Sequence, residues 1–277
     1  MFSFLSNKKE IENNQQKAID FKDDNYDFDM LLLKIRQVCG IDLEVKKTTI
    51  RPKLIKFCIN NGLDNFKDLT NKMDLNLPIR QELFDLITVC ETYFYRELKQ
   101  LNELIYILRA EPSKRRILCA PSSSGEEVYS ILMLANEAGI NNISILGIDI
   151  NAEIIQKARA KTYSKRSLYN LNDNLIKKYF TQEGEEYVLK GQYFTNAKFE
   201  VVNVFDKKFL ELGKFDVILS RNMMIYFNEE YKYRLVDNFV KNLNEGGMFF
   251  AGHADLVPNH HELKKIYANT CTYYVKN

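Results

Sequence analysis

After Pro112 the sequence alternates short apolar runs with amphipathic stretches, and this alternation narrows the possible fold more than any other feature. Arg116–Ala120, Ile143–Asp149, Phe199–Asn203, Phe215–Ser220 and Gly247–Ala251 read as buried strands. Glu126–Ala138, Ala152–Lys161 and Glu229–Leu243 read as helices set among them. Strands separated by helices form βαβ units with right-handed crossovers, which build a mostly parallel α/β sheet. Ligands of such an open sheet bind beyond the carboxyl ends of its strands. Residues 165–198 break the alternation with a helix near Asn172–Phe180, then Glu185–Lys190 and Gln192–Thr195 as a hairpin turning at Gly191. That stretch reads as a small β insertion.

The N-terminal third follows a different pattern. Residues 1–27 form a polar extension, with Asn13, Asn14, Gln15 and Gln16 followed by Asp23, Asp24 and Asp27. Over residues 28–88 apolar side chains recur at helical spacing: Phe28, Leu31, Leu32 and Ile35, then Ile50, Leu54 and Phe57, then Leu83, Leu86 and Ile87. Gly40 and Gly62 are placed to stop helices. An all-helical N-terminal domain is expected there, with the α/β domain occupying 89–277. With 45% hydrophobic and 27% charged residues the chain can bury a core. A net charge of only +2 speaks against nucleic-acid binding by bulk charge. Cys39, Cys58, Cys90, Cys119 and Cys271 are odd in number and hold no CxxC pair, which disfavours a disulfide framework or a zinc site and fits a reducing cytoplasm. No apolar run approaches the ~18 residues of a membrane span. Residues 1–9 place their charges after a very short apolar stretch, the reverse of a secretory signal.

Four stretches carry residues suited to chemistry. Pro121–Glu127 follows the first strand and opens a helix, but it has neither GxGxxG nor GxxxxGK[ST] spacing, so phosphate cradling is disfavoured. Its serines, single glycine and backbone amides suit a ligand carboxylate; equally, Ser124 could simply cap the helix, with Glu126 and Glu127 facing the helix dipole. Asp149 closes the second strand, where an acid accepts hydrogen bonds from ribose hydroxyls or caps the next helix. Arg221 and Asn222 end the strand Phe215–Ser220, with Tyr226 beyond them. They would overlie the ligand crevice, unless Arg221 merely pairs with a surface acid. Glu91–Glu97 sets Tyr93, Phe94 and Tyr95 in a row before Arg96 and Glu97. The aromatics suit packing at the junction of the two domains, and Arg96 could pair with Glu97 or Glu91.

Together, Glu91-Thr-Tyr-Phe-Tyr-Arg-Glu97, Ser123-Ser-Gly-Glu-Glu127, Gly147-Ile-Asp149, Arg221-Asn-Met-Met-Ile-Tyr-Phe227 and Gly252-His-Ala-Asp255 resemble the CheR-type chemotaxis receptor methyltransferases. Order and spacing match from about Asp27 to the C-terminus. Tyr95 stands for the usual second Phe, Val128 for a Pro, Ala254-Asp255 for Ser-Glu, and Cys90 for a polar Asn or Gly. The resemblance implies a helical N-terminal domain joined to a Rossmann-like S-adenosylmethionine-dependent methyltransferase domain with a small β subdomain. It implies that Thr92, Arg96, Glu127, Asp149, Asn203, Val204, Arg221 and Asn222 hold S-adenosylmethionine, with Arg96 and Tyr226 nearest the methyl group. Its implied substrates are glutamate side chains in the cytoplasmic helical region of chemotaxis receptors, methylated by a cytoplasmic, monomeric enzyme. Two other readings stand beside it: methylation of RNA or a small carboxylate, and a catalytically silent cofactor-binding module.

The implied reaction needs no general base, because a glutamate carboxylate is already ionised near neutrality, with a reference pKa of about 4.3. His253 is therefore expected to be structural, and adjacent His260 and His261 to lie in an exposed loop without a metal. The short acidic stretch Thr181–Lys190 argues against docking of a receptor tail peptide on the β insertion. Lys46, Lys53 and Lys56 form one stripe of a helix near Lys46–Cys58, complementary in charge to glutamate-rich receptor helices. Reversing Lys53 and Lys56 to Glu is expected to slow receptor methylation while leaving cofactor binding intact. A rate and a salt dependence unchanged from wild type would place the docking surface elsewhere.

Overall fold

The computed structural model describes residues 21–110, 113–268 and 270–277, so most of the polar extension, residues 1–20, lies outside the described residues. The chain divides into two compact units, one ending at Ile87 and one running from Thr88 to Asn277. The first is helical: α1 (Asn25–Cys39), α2 (Lys47–Asn60), α3 (Phe66–Leu75) and α4 (Leu77–Ile87). The Asp24 carboxylate caps α1 by accepting from the Asp27 N–H at 2.9 Å, and Gly40 ends it in the left-handed region at φ 77°. Phe28, Leu31, Ile35, Leu54, Phe66, Leu69, Met73 and Leu83 form its buried interior. Arg51 of α2 bonds Asp23 and Asn25 and lies over the Phe28 ring at 4.6 Å, and Lys47 pairs with Asp29, so these two cations are spent within the unit. Lys46, Lys53 and Lys56 are exposed.

The second unit comprises α5 (Leu98–Ala110), β1 (Arg115–Cys119), α6 (Glu126–Glu137), β2 (Ile143–Asp149), α7 (Ala152–Ala160), β3 (Thr162–Ser164), α8 (Asp173–Tyr179), β4 (Phe180–Glu183), β5 (Glu186–Leu189), β6 (Ala197–Val201), α9 (Lys207–Leu210), β7 (Phe215–Ser220), α10 (Glu229–Asn242), β8 (Leu243–Ala251), β9 (Leu263–Tyr267) and β10 (Thr272–Lys276). Seven strands pair in the order β6-β2-β1-β7-β8-β10-β9. The first five are parallel, and the β9–β10 hairpin adds antiparallel to β8. The chain winds outward from β1 to β2 and β6, then returns to β7 on the other side of β1. That reversal opens a crevice at the carboxyl ends of β1 and β7, where open sheets take ligands.

A second sheet, β3-β5-β4, holds the small subdomain. The expected hairpin at Gly191 does not form. Strands β4 and β5 turn instead through Gly184 and Glu185, with Gly184 at φ 64°, and Gly191–Tyr193 is a single 3-10 turn. A two-residue loop needs a positive φ, which glycine supplies without strain. Strand β6 ends at Val201, so Asn203 and Val204 belong to the loop beyond it.

The crevice floor depends on a close approach. A Cβ on Gly147 of β2 would stand 2.7 Å from Phe199 ring carbons and 2.8 Å from the Ser122 Cβ. The Phe199 ring reaches from β6 across Gly147 to Gly125, whose own Cβ would meet it at 3.0 Å. Both glycines thus let an aromatic ring lie beneath the loop after β1. Gly147→Ala is expected to destabilise the protein by roughly 1–3 kcal/mol through overpacking, measured by urea unfolding. A midpoint unchanged from wild type would show that Phe199 swings aside.

Candidate active site

The loop after β1 is held by the ends of its neighbours. The Ala120 N–H donates to the Leu219 carbonyl at 2.9 Å and the Ser122 N–H to the Ile148 carbonyl at 2.7 Å. Ser123 turns into the left-handed region at φ 47°, and its N–H donates to Asp149 Oδ2 at 3.0 Å. Asp149 Oδ1 accepts from the Asn151 N–H at 3.0 Å. This buried acid therefore ties the loop to the strand that carries it. Ser124 does not cap α6: Gly125 holds the capping position at φ 91°, and the Ser124 hydroxyl donates to Glu126 at 2.6 Å. Burial pushes the Glu126 carboxyl up, with the Ser124 hydrogen bond opposing it.

Arg221, just past β7, is the hub of the crevice. Its side chain is 3% exposed; Nη1 lies 3.1 Å from Glu127 Oε2 and Nε 3.5 Å from Glu97 Oε2. Nη2 donates to the backbone carbonyl of Arg96. The possible pairing of Arg221 with a surface acid is thus replaced by two partly buried acids. Burial opposes ionisation of Glu97, but Arg221 and hydrogen bonds from His253 and Asn222 outweigh it and hold the carboxyl below its ordinary range. For Glu127 the balance runs the other way: burial pushes its carboxyl up, although Arg221 and Cys119 oppose the shift.

Asn222, at φ 59°, is gripped twice. Its amide Nδ2 donates to Glu97 Oε1 at 3.2 Å, and its backbone N–H donates to Asp255 Oδ2. Asp255 also accepts from the N–H groups of Met224 at 2.8 Å and Gly252 at 2.9 Å. A Cβ on Gly252 would fall 2.7 Å from the Asn222 nitrogen, so glycine there lets the loops after β7 and β8 meet.

Segment 88–97 supplies the remaining wall. Phe94 packs edge-on against Tyr163 and Phe180, and its N–H donates to the Ser167 carbonyl at 2.9 Å. Arg96 pairs with neither Glu91 nor Glu97; its Nη1 donates to the Glu91 backbone carbonyl at 2.6 Å, and its guanidinium lies 5.7 Å from the Tyr93 ring centre. Burial pushes the half-buried Tyr226 phenol up, with Arg96 the main opposing charge, so these two side chains interact. Thr92 is half-buried in the same segment.

Of the residues singled out in the sequence, Arg221, Asn222, Glu127 and the Arg96 backbone converge directly, Tyr226 senses Arg96, and Asp149 underpins the adjoining loop. Asn203 and Val204 are buried in their own loop, where Asn203 bonds Phe205 and Asp206, and the Val204 carbonyl accepts from Asn238. Sequence reasoning missed Glu97 as a clamp on Asn222, and Asp255 as the joint between loops. The His253 side chain is 62% exposed, with Nδ1 3.0 Å from Glu97. His260 reverses its expectation of exposure, being buried and stacked between Tyr233 and exposed His261. Among the described residues no His, Cys, Asp or Glu cluster is arranged to hold a metal ion, and no helix is long and apolar enough to cross a membrane.

Buried polar atoms at the crevice lack a hydrogen-bond partner: the hydroxyls of Ser122, Ser123 and Ser220, Glu127 Oε1, Asn222 Oδ1 and Arg221 Nε, which has only its ion-pair contact with Glu97. Native proteins seldom leave such atoms unsatisfied. With Glu97, Glu127, Asp149 and Asp255 set against Arg221 and Arg96, the crevice suits a polar ligand of net positive charge. Asp255→Asn replaces one acceptor oxygen with a donor facing a backbone N–H, so at least one of the three bonds is lost. It is expected to cost roughly 1–3 kcal/mol of stability and to weaken ligand binding through Asn222; unfolding and calorimetry on the variant check both.

Comparison with known proteins agrees with this arrangement. Residues 90–273 match the family described as CheR methyltransferase, SAM binding domain. A chemotaxis protein methyltransferase of Campylobacter jejuni is 42% identical over 243 residues, covering 87% of this chain and 93% of the relative. Namesakes in Borreliella burgdorferi and Escherichia coli are 33% identical over 256 residues and 31% over 231. They cover 86% and 80% of this chain, and 89% and 81% of their own lengths. With more than half its length in the family match, the chain belongs to the CheR methyltransferase family and uses S-adenosylmethionine as its cofactor.

Proposed function

We propose that this crevice methylates glutamate side chains in the cytoplasmic helical region of chemotaxis receptors, forming methyl esters. The observation that carries this reading is the buried, acid-rich cluster around Arg221, with Glu127 Oε1 left without a partner. When bound, S-adenosylmethionine supplies a methyl group on a cationic sulfur, which an ionised carboxylate can take directly. The residues fit that cofactor. Glu127 Oε1 is an acceptor for its ammonium group, and Asp149 closes β2 at the carboxyl edge of the sheet, where an acid accepts from ribose hydroxyls. Asn203 and Val204, in the loop after β6, would flank the adenine, and Asn222 Oδ1, which has no hydrogen-bond partner, is a further acceptor.

The remaining task of the protein is positioning. No proton need be removed from the acceptor, which agrees with a site whose acids hold loops or Arg221. Arg96 can orient the incoming carboxylate with the guanidinium N–H groups that its bond to the Glu91 carbonyl leaves over. Tyr226, kept as a phenol, offers an O–H donor beside it. Joining a cation and an anion into neutral products is favoured where water is excluded, and Arg221, 3% exposed, marks how far the floor of the crevice is withdrawn from water. Incubation with methyl-labelled cofactor and receptor-bearing membranes should put label on the receptor that base releases as methanol, the signature of an ester. Label that resists base, or that enters RNA, would discard the glutamate reading.

A pH dependence follows from Glu127. Its carboxyl is pushed up by burial when no ligand cation is near, and a bound ammonium would lower it. Binding then expels a proton: affinity should fall as pH drops through the Glu127 titration and level off above it. Calorimetry with S-adenosylhomocysteine in two buffers of different ionisation heat should detect proton release in the wild type, and none in a weaker-binding Glu127→Gln. Equal proton release in both proteins would remove Glu127 from the ammonium site.

A further inference from the structure

His253 is the one residue of this neighbourhood that both touches the buried cluster and faces outward. It stands in the loop after β8, and its backbone N–H and ring Nδ1 both meet Glu97 Oε2, at 3.4 and 3.0 Å. Glu97 is 15% exposed and ionised, held by Arg221 and Asn222 on its inner side. The imidazole is thus pinned at one nitrogen by a fixed anion, while the rest of the ring is open to solvent. Two large apolar side chains share this rim, Ile225 at 51% and Leu256 at 73% exposure, on loops locked together by Asp255. A rim with exposed apolar groups around one polar ring suits a protein surface.

We infer that His253 binds the acceptor glutamate of the receptor, presenting Nε2 to its carboxylate once the ring is protonated. The inference rests on the proposed function and adds a residue on the substrate side. The chemistry follows from the two ring nitrogens. With the Nδ1 proton committed to Glu97, a neutral ring shows a lone pair at Nε2, which repels a carboxylate. A protonated ring shows an N–H donor there, and makes a charge-assisted bond. Acceptor binding therefore needs the charged ring and should weaken as pH rises and the ring loses that charge. The charged groups around the ring are few. Glu97 is in contact and Arg221 lies on the far side of Glu97. Asp255 spends its carboxylate on the N–H groups of Asn222, Met224 and Gly252. From α5 comes the uncharged Gln100, bonded to the Ala251 carbonyl at 2.7 Å.

The test is receptor methylation at saturating cofactor, with KM for receptor and kcat measured between about pH 6 and pH 8. Saturation separates this dependence from any pH effect on cofactor binding. The wild-type KM for receptor should rise with pH while kcat changes little. His253→Gln should raise KM about tenfold at the acid end and flatten the profile. His253→Lys, charged throughout, should restore a low KM without pH dependence. A His253→Gln enzyme with the wild-type KM profile would overturn the inference, as would a His253→Lys enzyme no better than it. A wild-type protein that binds cofactor yet leaves receptors unlabelled would overturn the proposed function and this inference with it, whereas labelled receptors with indifferent His253 variants would remove His253 alone.

Discussion

One buried guanidinium organises the α/β unit's working edge. Taking Arg221 out of water costs several kcal/mol, and only close partners offset that cost. They come from two separate places: Glu127 at the start of α6, and the segment before α5, which gives both the Glu97 carboxylate and the carbonyl of Arg96. Each must arrive for the charge to be tolerated, so folding of the sheet edge and assembly of the site are one event. Withdrawal of any one partner would leave a buried charge incompletely paired, at a cost on the order of 3–5 kcal/mol. Such a pair need not raise stability above that of an apolar core. What it does here is specify which three segments meet.

The same edge concentrates backbone strain. Tyr95, Glu97, Ser123 and Asn222 all lie in the left-handed region, at φ 58°, 51°, 47° and 59°. Conformations of this kind cost non-glycine residues of order 1–3 kcal/mol each and persist where the surroundings insist on them. For three of the four the insistence is visible in the same form, a side-chain oxygen that takes the strained residue's own N–H. Ser130 does so for Tyr95, Asp149 for Ser123 and Asp255 for Asn222. Asp149 and Asp255 thus hold backbone in place as well as shaping the charge of the crevice. Where the buried acids are anchored this way, the neighbouring side chains can be rigid before any ligand arrives, and rigidity of that sort is what a positioning enzyme needs.

The sheet was legible because its signals are local. Ile143–Asp149 and Phe215–Ser220 are continuous apolar runs, and both form strands over those very residues. Gly40 stops α1 because a glycine after a periodic run can turn left-handed where other residues resist. Glu127, Arg221 and Asn222 stand out as polar residues at strand or helix ends, and they do converge. The misreadings share a cause. In the small subdomain two glycines, Gly184 and Gly191, compete for the turn, and the acids around Gly184 disguise a tight hairpin as a loop. Glu97 and Asp255 act on residues 125 and 33 positions away, by way of positive-φ backbone that no local pattern announces. His260 looks solvent-exposed in a polar stretch, yet stacking on Tyr233 and His261 buries it. Pairing across the sheet edge, rather than residue type, decides these cases.

Charge is also ordered along the depth of the crevice, and the order matches a reaction between ions of opposite sign. Deep in it, Glu127 and Asp149 outnumber Arg221, which favours a ligand that is itself cationic. Toward the mouth stand Arg96, half-buried with one arm tied to a backbone carbonyl, and His253, exposed on Glu97. Glu97 lies between the two layers and serves both, since one of its oxygens faces Asn222 while the other faces Arg221 and His253. A uniformly acidic crevice would repel a glutamate, and a uniformly basic one would repel a sulfonium. With acids below and the Arg96 guanidinium toward the rim, each reactant of the proposed transfer meets complementary charge from its own side, and the two meet where the layers join.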